Sequence, residues 1–277
     1  TLGDDDLFAG TLASMVDWMR DNLLDTGGAF FAGEDGESGG QNGQHYLWRR
    51  EQLKKLLSED EYLLVETLFG LDKLANIENR WNLHRHDSYR SVVERLSLTS
   101  TEADALLASA KQKMRSARAA ADIQPTIDRK VITGWNGLAI KGLADAGRSN
   151  NQGEWIAMAG QCALFLRQSC WDGEILYSTW HESRLGHPAF LDDYANVLGG
   201  LHSLLRCRWD DDDAAFARQL ADVVLSKFYD NDDGGFYFAP MDVEPLIYAP
   251  KPTLDETLPP GNATLALVLN RLGLLFG

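Results

Sequence analysis

The chain has 277 residues, of which 44% are hydrophobic, and its 41 acidic and 26 basic residues give a formal net charge of −15. This charge would repel the phosphates of nucleic acids and the anionic surfaces of membranes, so both classes of partner are disfavoured. No apolar run reaches the roughly 20 residues that span a bilayer, and the three cysteines form no Cys-x-x-Cys pair. We therefore predict a soluble, cytoplasmic protein without a disulfide framework, a bound metal or a cofactor.

The N-terminal part predicts the end of a repeated unit, followed by a long insertion. A helix over Leu7–Leu24 precedes the glycine turn and aromatic pair of Thr26–Phe31. Residues 34–100 then depart from this pattern, and we interpret them as the elaboration of a hairpin within a single domain that covers 1–277. The helices predicted in and after this segment are Arg50–Leu57, Asp60–Phe69 and Glu102–Ala120, the last of which returns the chain to the repeat.

Two complete repeats follow, each made of a helix, a second helix, a glycine turn and an aromatic strand. The elements predicted for them are Trp135–Gly147, Glu154–Ser169 and Trp171–Tyr177 in the first, and Asp192–Cys207, Ala214–Phe228 and Asp233–Phe238 in the second. Pro259–Asn262 opens a final helix in the same way. The chain therefore consists of helix pairs joined by small hairpins.

The helices of each repeat differ in composition. The first ones are rich in Gly, Ala and Leu and carry few charges, which is typical of helices buried on several sides; the second ones carry charges at helical spacing. This predicts an all-α fold, an (α/α) toroid with small β-hairpins between helix pairs. Since the chain starts without Met and stops in an apolar helix at Leu274–Gly277, we expect an incomplete ring from a longer protein. An irregular helical bundle would not explain the repeated hairpins.

In such a ring the polar residues just before each inner helix meet at one mouth of the barrel. The candidates for this site are Asp128, Arg129, Lys130, Trp135, Asn136, Asp192, Asp193, Tyr194, Lys251, Asp255, Glu256 and Asn262, together with the hairpin acids Glu34, Asp35 and Glu37. Paired carboxylates flanked by aromatic rings suit sugar chemistry, in which one acid protonates the leaving oxygen and another activates water. We predict Asp192 and Asp193 as catalytic acids.

The residues assigned to substrate binding are Asp35, Glu37, Tyr46, Trp48, Asp128, Lys130, Trp135, Asn136, Tyr194, Lys251, Asp255 and Asn262. Among them, Trp135 and Tyr194 are expected as stacking walls, and Asn136 and Asn262 as groups that bind hydroxyls. A simpler alternative is that the aspartates and asparagines cap their helices, since both residue types are favoured at that position. Capping would also lower the pKa of a carboxylate through the helix dipole, which suits a base better than a proton donor.

Two other kinds of chemistry are open to this sequence. An epimerase would move a proton with histidine, for which His181, His187 and His202 are available, although His202 lies within an inner helix and fits a core position. The run Asp230–Gly235 is similar to a calcium loop, but Met241 stands where the loop needs its last glutamate. We interpret this run as an Asp/Gly turn.

The order of four motifs resembles that in a widespread family of thioredoxin-domain proteins that includes a mammalian spermatogenesis-associated protein. These motifs are Arg129–Ile140, Phe190–Ala195, Phe228–Phe236 and Lys251–Asn262. The resemblance implies an N-terminal thioredoxin-like domain followed by a toroid similar to those of N-acylglucosamine 2-epimerases and six-hairpin glycosidases. Within it, Tyr46 and Trp48 resemble the aromatic strand of the family, and Asp35 and Glu37 its acidic hairpin.

The chain departs from that family at two acidic motifs. Gly39 replaces the last acid of the hairpin motif, and Pro125–Lys130 lacks a histidine and an acid. The polar residues at the mouth and the analogy of the fold make the leading hypothesis a toroid that binds a saccharide or acts on it by hydrolysis or epimerisation, whereas these lost acids favour the alternative. The alternative is a non-catalytic scaffold that works with the thioredoxin-like domain of the same protein.

Overall fold

The computed structural model describes residues 5–38, 40–242 and 248–277. The helices in these ranges are α1 (Asp5–Asn22), α2 (Arg50–Leu56), α3 (Glu59–Phe69), α4 (Tyr89–Arg95), α5 (Ser100–Ala119), α6 (Thr133–Ser149), α7 (Gly153–Phe165), α8 (Leu191–Leu205), α9 (Asp211–Lys227) and α10 (Gly261–Phe276). The strands are β1 (Gly33–Glu34), β2 (Glu37–Ser38), β3 (Gln41–Asn42), β4 (Ile127–Asp128), β5 (Val131–Ile132), β6 (Thr179–His181) and β7 (Arg184–Leu185). A π-helical turn, Leu166–Cys170, continues α7.

The chain divides into two compact units. Unit 1 consists of Thr1–Gly33 and Ile127–Gly277, and unit 2 consists of Glu34–Thr126. The elaboration predicted over 34–100 lies in unit 2. The helix predicted over Glu102–Ala120 corresponds to α5. The prediction that it returns the chain to the repeat is wrong, because α5 packs against α3 and belongs to unit 2. That the whole chain is a single domain stays a prediction.

Unit 1 is built from an inner and an outer layer of helices. Every residue of α8 is buried except Asp192 and Asp193, because Gly, Ala and Leu cover nearly all of its surface. Helices α6 and α10 pack on α8, while α7 pairs with α6 and α9 with α8. The charged residues Glu154 on α7 and Arg218 and Asp222 on α9 are exposed to solvent. The predicted fold class, an all-α fold of the α/α-toroid type with small antiparallel hairpins, is confirmed.

The hairpins of unit 1 are closed by very few backbone pairs. Single antiparallel bridges join Leu24 to Phe30, Trp171 to Leu176 and Tyr229 to Phe236, at the three predicted glycine turns. The sequence pattern missed a further sheet in which β6 pairs with both β5 and β7. Its turn has positive φ at both Glu182 and Ser183, which gives the twist that two-residue hairpins favour.

Unit 2 has its own core between α3 and α5. Leu64, Leu68 and Leu107 are buried against one another, and Glu61 is buried at the edge of this core beside Lys113. Helix α3 begins with a capping box in which Ser58 and Glu61 exchange side-chain and backbone hydrogen bonds. Within the described ranges, no helix is both long enough and apolar enough to cross a membrane.

Candidate functional site

Two neighbouring carboxylates connect the N-termini of the inner helices of unit 1. Asp193 Oδ1 accepts a hydrogen bond from the backbone N–H of Gly134 at 3.1 Å, and Asp192 Oδ1 accepts one from Gly261 at 2.8 Å. A Cβ atom at Gly134 would lie 2.6 Å from Asp193 Oδ1, and one at Gly261 would lie 2.5 Å from Asp192 Oδ1. Because only glycine leaves room for this approach, α6, α8 and α10 begin side by side.

The carboxylate of Asp193 is fully engaged by backbone donors. Its second oxygen accepts the N–H of Phe190 at 3.1 Å. The predicted N-cap role of the two aspartates is wrong, because Phe190 is the N-cap of α8 and Asp193, at the third helical position, binds back to it. Burial raises the pKa of Asp193 to about 6, and the charge of Asp192 acts in the same direction, against the N–H groups of Phe190 and Gly134. Burial also raises the pKa of Asp192, against the N–H of Gly261. The expected lowering of these pKa values is therefore wrong, because burial outweighs the helix N-terminus.

Asn136 and Asn262 are bound to backbone groups of the hairpins. The Asn136 amide exchanges two hydrogen bonds with Phe30 and donates a third to the carbonyl of Ile132. The Asn262 amide exchanges two with Phe236 and donates a third to the carbonyl of Pro252. Since Asn136 is only 2% exposed, the prediction that it binds substrate hydroxyls is wrong. Asn262 is engaged in the same way but is half-buried, so its role in binding hydroxyls stays a prediction.

The two aromatic residues predicted to stack on a sugar lie in different environments. Tyr194 is 3% exposed, packs against Phe228, and accepts the backbone N–H of Leu176 at its hydroxyl. It therefore cannot form a stacking wall. Trp135, on the first turn of α6, is 49% exposed and its ring is open to a ligand.

The remaining candidates of unit 1 include two ion pairs. Lys251 donates to a carboxylate oxygen of Asp230 and to the carbonyl of Gly234, and Asp230 also accepts from the Tyr237 hydroxyl. The contact with Lys251 lowers the pKa of Asp230. The pair therefore closes the Asp/Gly turn. Lys130 and Asp128 form a half-exposed ion pair at 3.1 Å.

Five candidates belong to unit 2, where Tyr46 and Trp48 lie beside a guanidinium. The Arg118 Cζ atom is 5.9 Å from the centre of the Tyr46 ring and 5.5 Å from that of Trp48. The Tyr46 hydroxyl donates a hydrogen bond to Glu34 Oε2 at 2.5 Å. Asp35 Oδ1 accepts one from the backbone N–H of Glu37. Their role in binding a substrate stays a prediction.

A cavity of about 530 Å³ lies in unit 1 beside Asp192, and we call it the Asp192 cavity. Its walls are formed by Asp192, Phe238, Lys251, Pro252, Thr253, Leu254, Glu256, Thr257, Leu258 and Pro260. The Phe238 ring stacks on that of Phe190, with centres 4.8 Å apart and planes at 8°. These two phenylalanines were not among the predicted site residues, although Phe190 directly precedes the helix of the paired acids and Phe238 ends a predicted aromatic strand. Asp255, which is exposed, does not line the cavity.

The histidines lie outside this cavity. His181 and His187 are exposed, and His202 is 7% exposed within α8, where burial lowers its pKa. The core position predicted for His202 is confirmed. Over the described ranges, no group of three or more His, Cys, Asp or Glu side chains is placed to hold a metal ion.

The chain is similar to curated proteins over most of its length, although no protein-family model matches it. It is 25% identical over 271 residues to spermatogenesis-associated protein 20 of Rattus norvegicus and of Homo sapiens. Each alignment covers 85% of this chain and 34% of the relative, so the chain spans about a third of the length of these relatives. The homologues of this chain are therefore the spermatogenesis-associated protein 20 of different mammals, as the order of the motifs predicted.

Two solved structures are similar to the structure of this chain. An inactive variant of α-1,6-mannanase from Salegentibacter sp. HEL1_6, in complex with α-1,6-mannotriose, has a TM-score of 0.42 and 11% identity, over 96% of this chain and 64% of that chain. Cellobiose 2-epimerase from Bacillus thermoamylovorans has a TM-score of 0.39 and 8% identity, over 83% and 58%. At these identities the likeness concerns the fold alone.

Proposed function

We propose that unit 1 binds a saccharide in the Asp192 cavity and hydrolyses a glycosidic bond there. The observation that carries the proposal is the wall of this cavity, which combines two carboxylates, Asp192 and Glu256, with the ring of Phe238. Carboxylates accept hydrogen bonds from sugar hydroxyls, and an aromatic ring packs on the apolar face of a pyranose. A volume of about 530 Å³ is within the usual range for small-molecule sites.

Asp192 is the acid best suited to react with the ligand. In the described part of the chain, its carboxyl group accepts one hydrogen bond, from the N–H of Gly261 to Oδ1. This leaves Oδ2 for the ligand. Burial raises its pKa, which favours a carboxyl group that carries a proton for the leaving oxygen. Glu256, which is exposed on the same cavity, would then activate the water that attacks the sugar carbon.

Asp193 acts in this proposal as a positioning residue. Both of its oxygens are bound to backbone N–H groups, one at Phe190 and one at Gly134. It would hold the first turn of α8, and thereby Asp192, in place. Hydrolysis is favoured over epimerisation because none of the residues that line the cavity in the described ranges is a histidine.

The experiment is calorimetric titration of mono- and disaccharides into the wild-type chain and into Asp192→Asn. The asparagine oxygen still accepts the Gly261 N–H, so the variant should fold while losing the second carboxyl oxygen, Oδ2, which is the one left for the ligand. We expect about tenfold weaker binding and loss of any released reducing sugar. Asp222→Asn, at an exposed position of α9, is the matched control. Binding that is the same in both variants would contradict the proposal.

The scaffold hypothesis is the second candidate. It is supported by the engagement of Asp193, Asn136, Asn262 and Lys251 in bonds within unit 1, since these groups are then not available to a substrate. A chain that binds none of the saccharides, but that binds a thioredoxin-like domain of a full-length relative in the same calorimeter, would favour the scaffold.

A further inference from the structure

A second cavity, of about 360 Å³, lies wholly within unit 2, and it is unusually basic for this acidic protein. Its walls include three guanidinium groups, Arg49, Arg80 and Arg118, and the imidazole of His45, against a single carboxylate, Asp122. Half of the Lys and Arg residues of the chain lie in unit 2, although this unit makes up only a third of the length. The cavity therefore concentrates positive charge.

Four buried side-chain donors in the described part of the chain lack an acceptor, and two of them belong to residues that line this cavity. In the part of the chain that the structure describes, Trp48 Nε1 and Arg118 Nε have no hydrogen-bond partner. Trp48 is only 8% exposed, so water does not readily replace the missing acceptor. A buried donor without a partner destabilises a fold by about 1–3 kcal/mol. Two such donors on one cavity indicate that an acceptor from outside the chain completes it.

The charge of Arg118 is also left without a direct counterion. Over the described ranges no carboxylate forms an ion pair with it, and the nearby Glu34 accepts the Tyr46 hydroxyl. The rings of Tyr46 and Trp48 hold the guanidinium from the sides. Burial lowers the pKa of Arg118, but a guanidinium stays protonated in proteins. A rigid, partly buried cation of this kind is suited to bind an anion.

We propose that this cavity is a binding site for a small phosphate monoester. A phosphate presents three oxygens, so it can accept from Trp48 Nε1, from Arg118 and from a second guanidinium at the same time, which a single carboxylate cannot do. The volume leaves space for a small organic group beside the phosphate. The site is independent of the saccharide cavity of unit 1.

The test is an NMR titration of the chain, labelled with ¹⁵N, with inorganic phosphate and with glucose 6-phosphate. The indole N–H resonance of Trp48, assigned by its loss in Trp48→Phe, is expected to shift downfield with both ligands and to stay in place with glucose. Affinity should fall about tenfold in Trp48→Phe, which removes one donor to a charged group, and should be lost in Arg118→Gln.

Arg90→Gln is the matched control, because Arg90 is exposed and pairs with Glu94 on α4, and its affinity should equal that of the wild type. Trp48→Phe keeps an aromatic ring at this position and is expected to fold, so it still tests the proposal if Arg118→Gln does not fold. An indole resonance that does not move with either phosphate would overturn the proposal. Binding that is unchanged in Trp48→Phe would overturn it as well.

Discussion

The side-chain amide of Asn136 and the backbone of Phe30 are joined by two reciprocal hydrogen bonds. The N–H of Phe30 donates to Asn136 Oδ1 at 2.7 Å, and Asn136 Nδ2 donates to the carbonyl of Phe30 at 2.9 Å. Asn262 and Phe236 repeat the arrangement, with 2.8 Å for both bonds. An asparagine amide can do this because it offers one acceptor and two donors, as a peptide group would. Inner helix and hairpin are thus locked together twice in the same way.

Replacement of Asn136 by alanine is expected to lower the free energy of unfolding by about 3 kcal/mol. It leaves the N–H and the carbonyl of Phe30 buried without partners, each at a cost of about 1–3 kcal/mol. Asn262→Ala should cost less, about 1 kcal/mol, since Asn262 is half-buried and water can replace its amide. Urea unfolding of both variants checks the order, and a larger loss for Asn262→Ala would contradict this explanation.

Gly137→Ala is expected to destabilise unit 1 by about 2–4 kcal/mol. A Cβ at Gly137 would lie 2.5 Å from the backbone of Asn196 and Val197, so α6 and α8 would have to move apart. Gly142→Ala on the same helix is the control, because its Cβ would meet no atom within 4 Å. That variant should gain about 0.5–1 kcal/mol from helix propensity. Opposite signs in thermal unfolding are the expected result, and a loss of similar size in both would show that crowding is not the cause.

The free energy of unfolding is expected to fall as the pH rises from about 4 to about 6 because of Asp193. Burial raises the pKa of this carboxyl from its ordinary value of 3.8 to about 6, so the folded state holds the proton more tightly than the unfolded state. The contribution is fully present below about 3.8 and is lost by about 6, with a total of up to about 3 kcal/mol.

The check is urea unfolding at several pH values for the wild type, Asp193→Asn and the exposed control Asp222→Asn. The slope in this window should shrink in Asp193→Asn and persist in Asp222→Asn. Part of it should remain, since burial also raises the pKa of Asp192. Equal slopes in all three proteins would refute the assignment to Asp193.

Lys113→Met is expected to destabilise unit 2 by about 2 kcal/mol at neutral pH. Glu61 is 4% exposed, and its carboxylate accepts from Lys113 at 2.7 Å and from the Ser109 hydroxyl at 2.6 Å. Burial alone would raise the pKa of Glu61, but these bonds and the N–H of Ser58 outweigh it and lower the pKa to about 2. Without Lys113 the carboxylate would be buried with too few partners.

The Glu61 contribution has the opposite pH dependence to that of Asp193. It is present above about 4.5 and is lost as the pH falls toward about 2, because the folded state binds the proton less readily. Carboxyl NMR of Glu61 should therefore titrate at a higher pH in Lys113→Met. Arg115→Met, an exposed change on the same helix, should leave that titration where it is, and a shift of equal size there would rule out a direct pairing effect.

The helices of unit 1 could be predicted from the sequence because their composition records which sides are buried. The run of Gly, Ala and Leu in α8 predicts burial all round, and the structure confirms it. The hairpins were equally visible as glycine turns followed by aromatic residues. By contrast, β6 and β7 have only three and two residues, and β7 is exposed, so no alternation of apolar residues marked them.

The roles of the polar residues were harder to predict, because a hydrogen-bond partner distant in sequence leaves no local signal. Asn136 lies 106 residues from Phe30, and Asp193 lies 59 from Gly134. The sequence pattern correctly places these groups at the starts of inner helices. It does not show that backbone N–H groups and carbonyls of unit 1 occupy them. Nor does it show that Asp192, unlike Asp193, keeps an oxygen for a ligand.

The lock between Asn136 and Phe30 also explains where a large insertion can be tolerated. The chain leaves unit 1 at Gly33, three residues after Phe30, and returns at Ile127. Within unit 1, the N–H of Ala32 binds the carbonyls of Asp128 and Lys130 at 3.1 and 2.7 Å, so the departing and returning segments are already side by side. Because the two ends of this loop are already held together, lengthening the loop between them costs little additional chain entropy. A chain segment at this position is therefore inserted between two backbone stretches that unit 1 itself holds together.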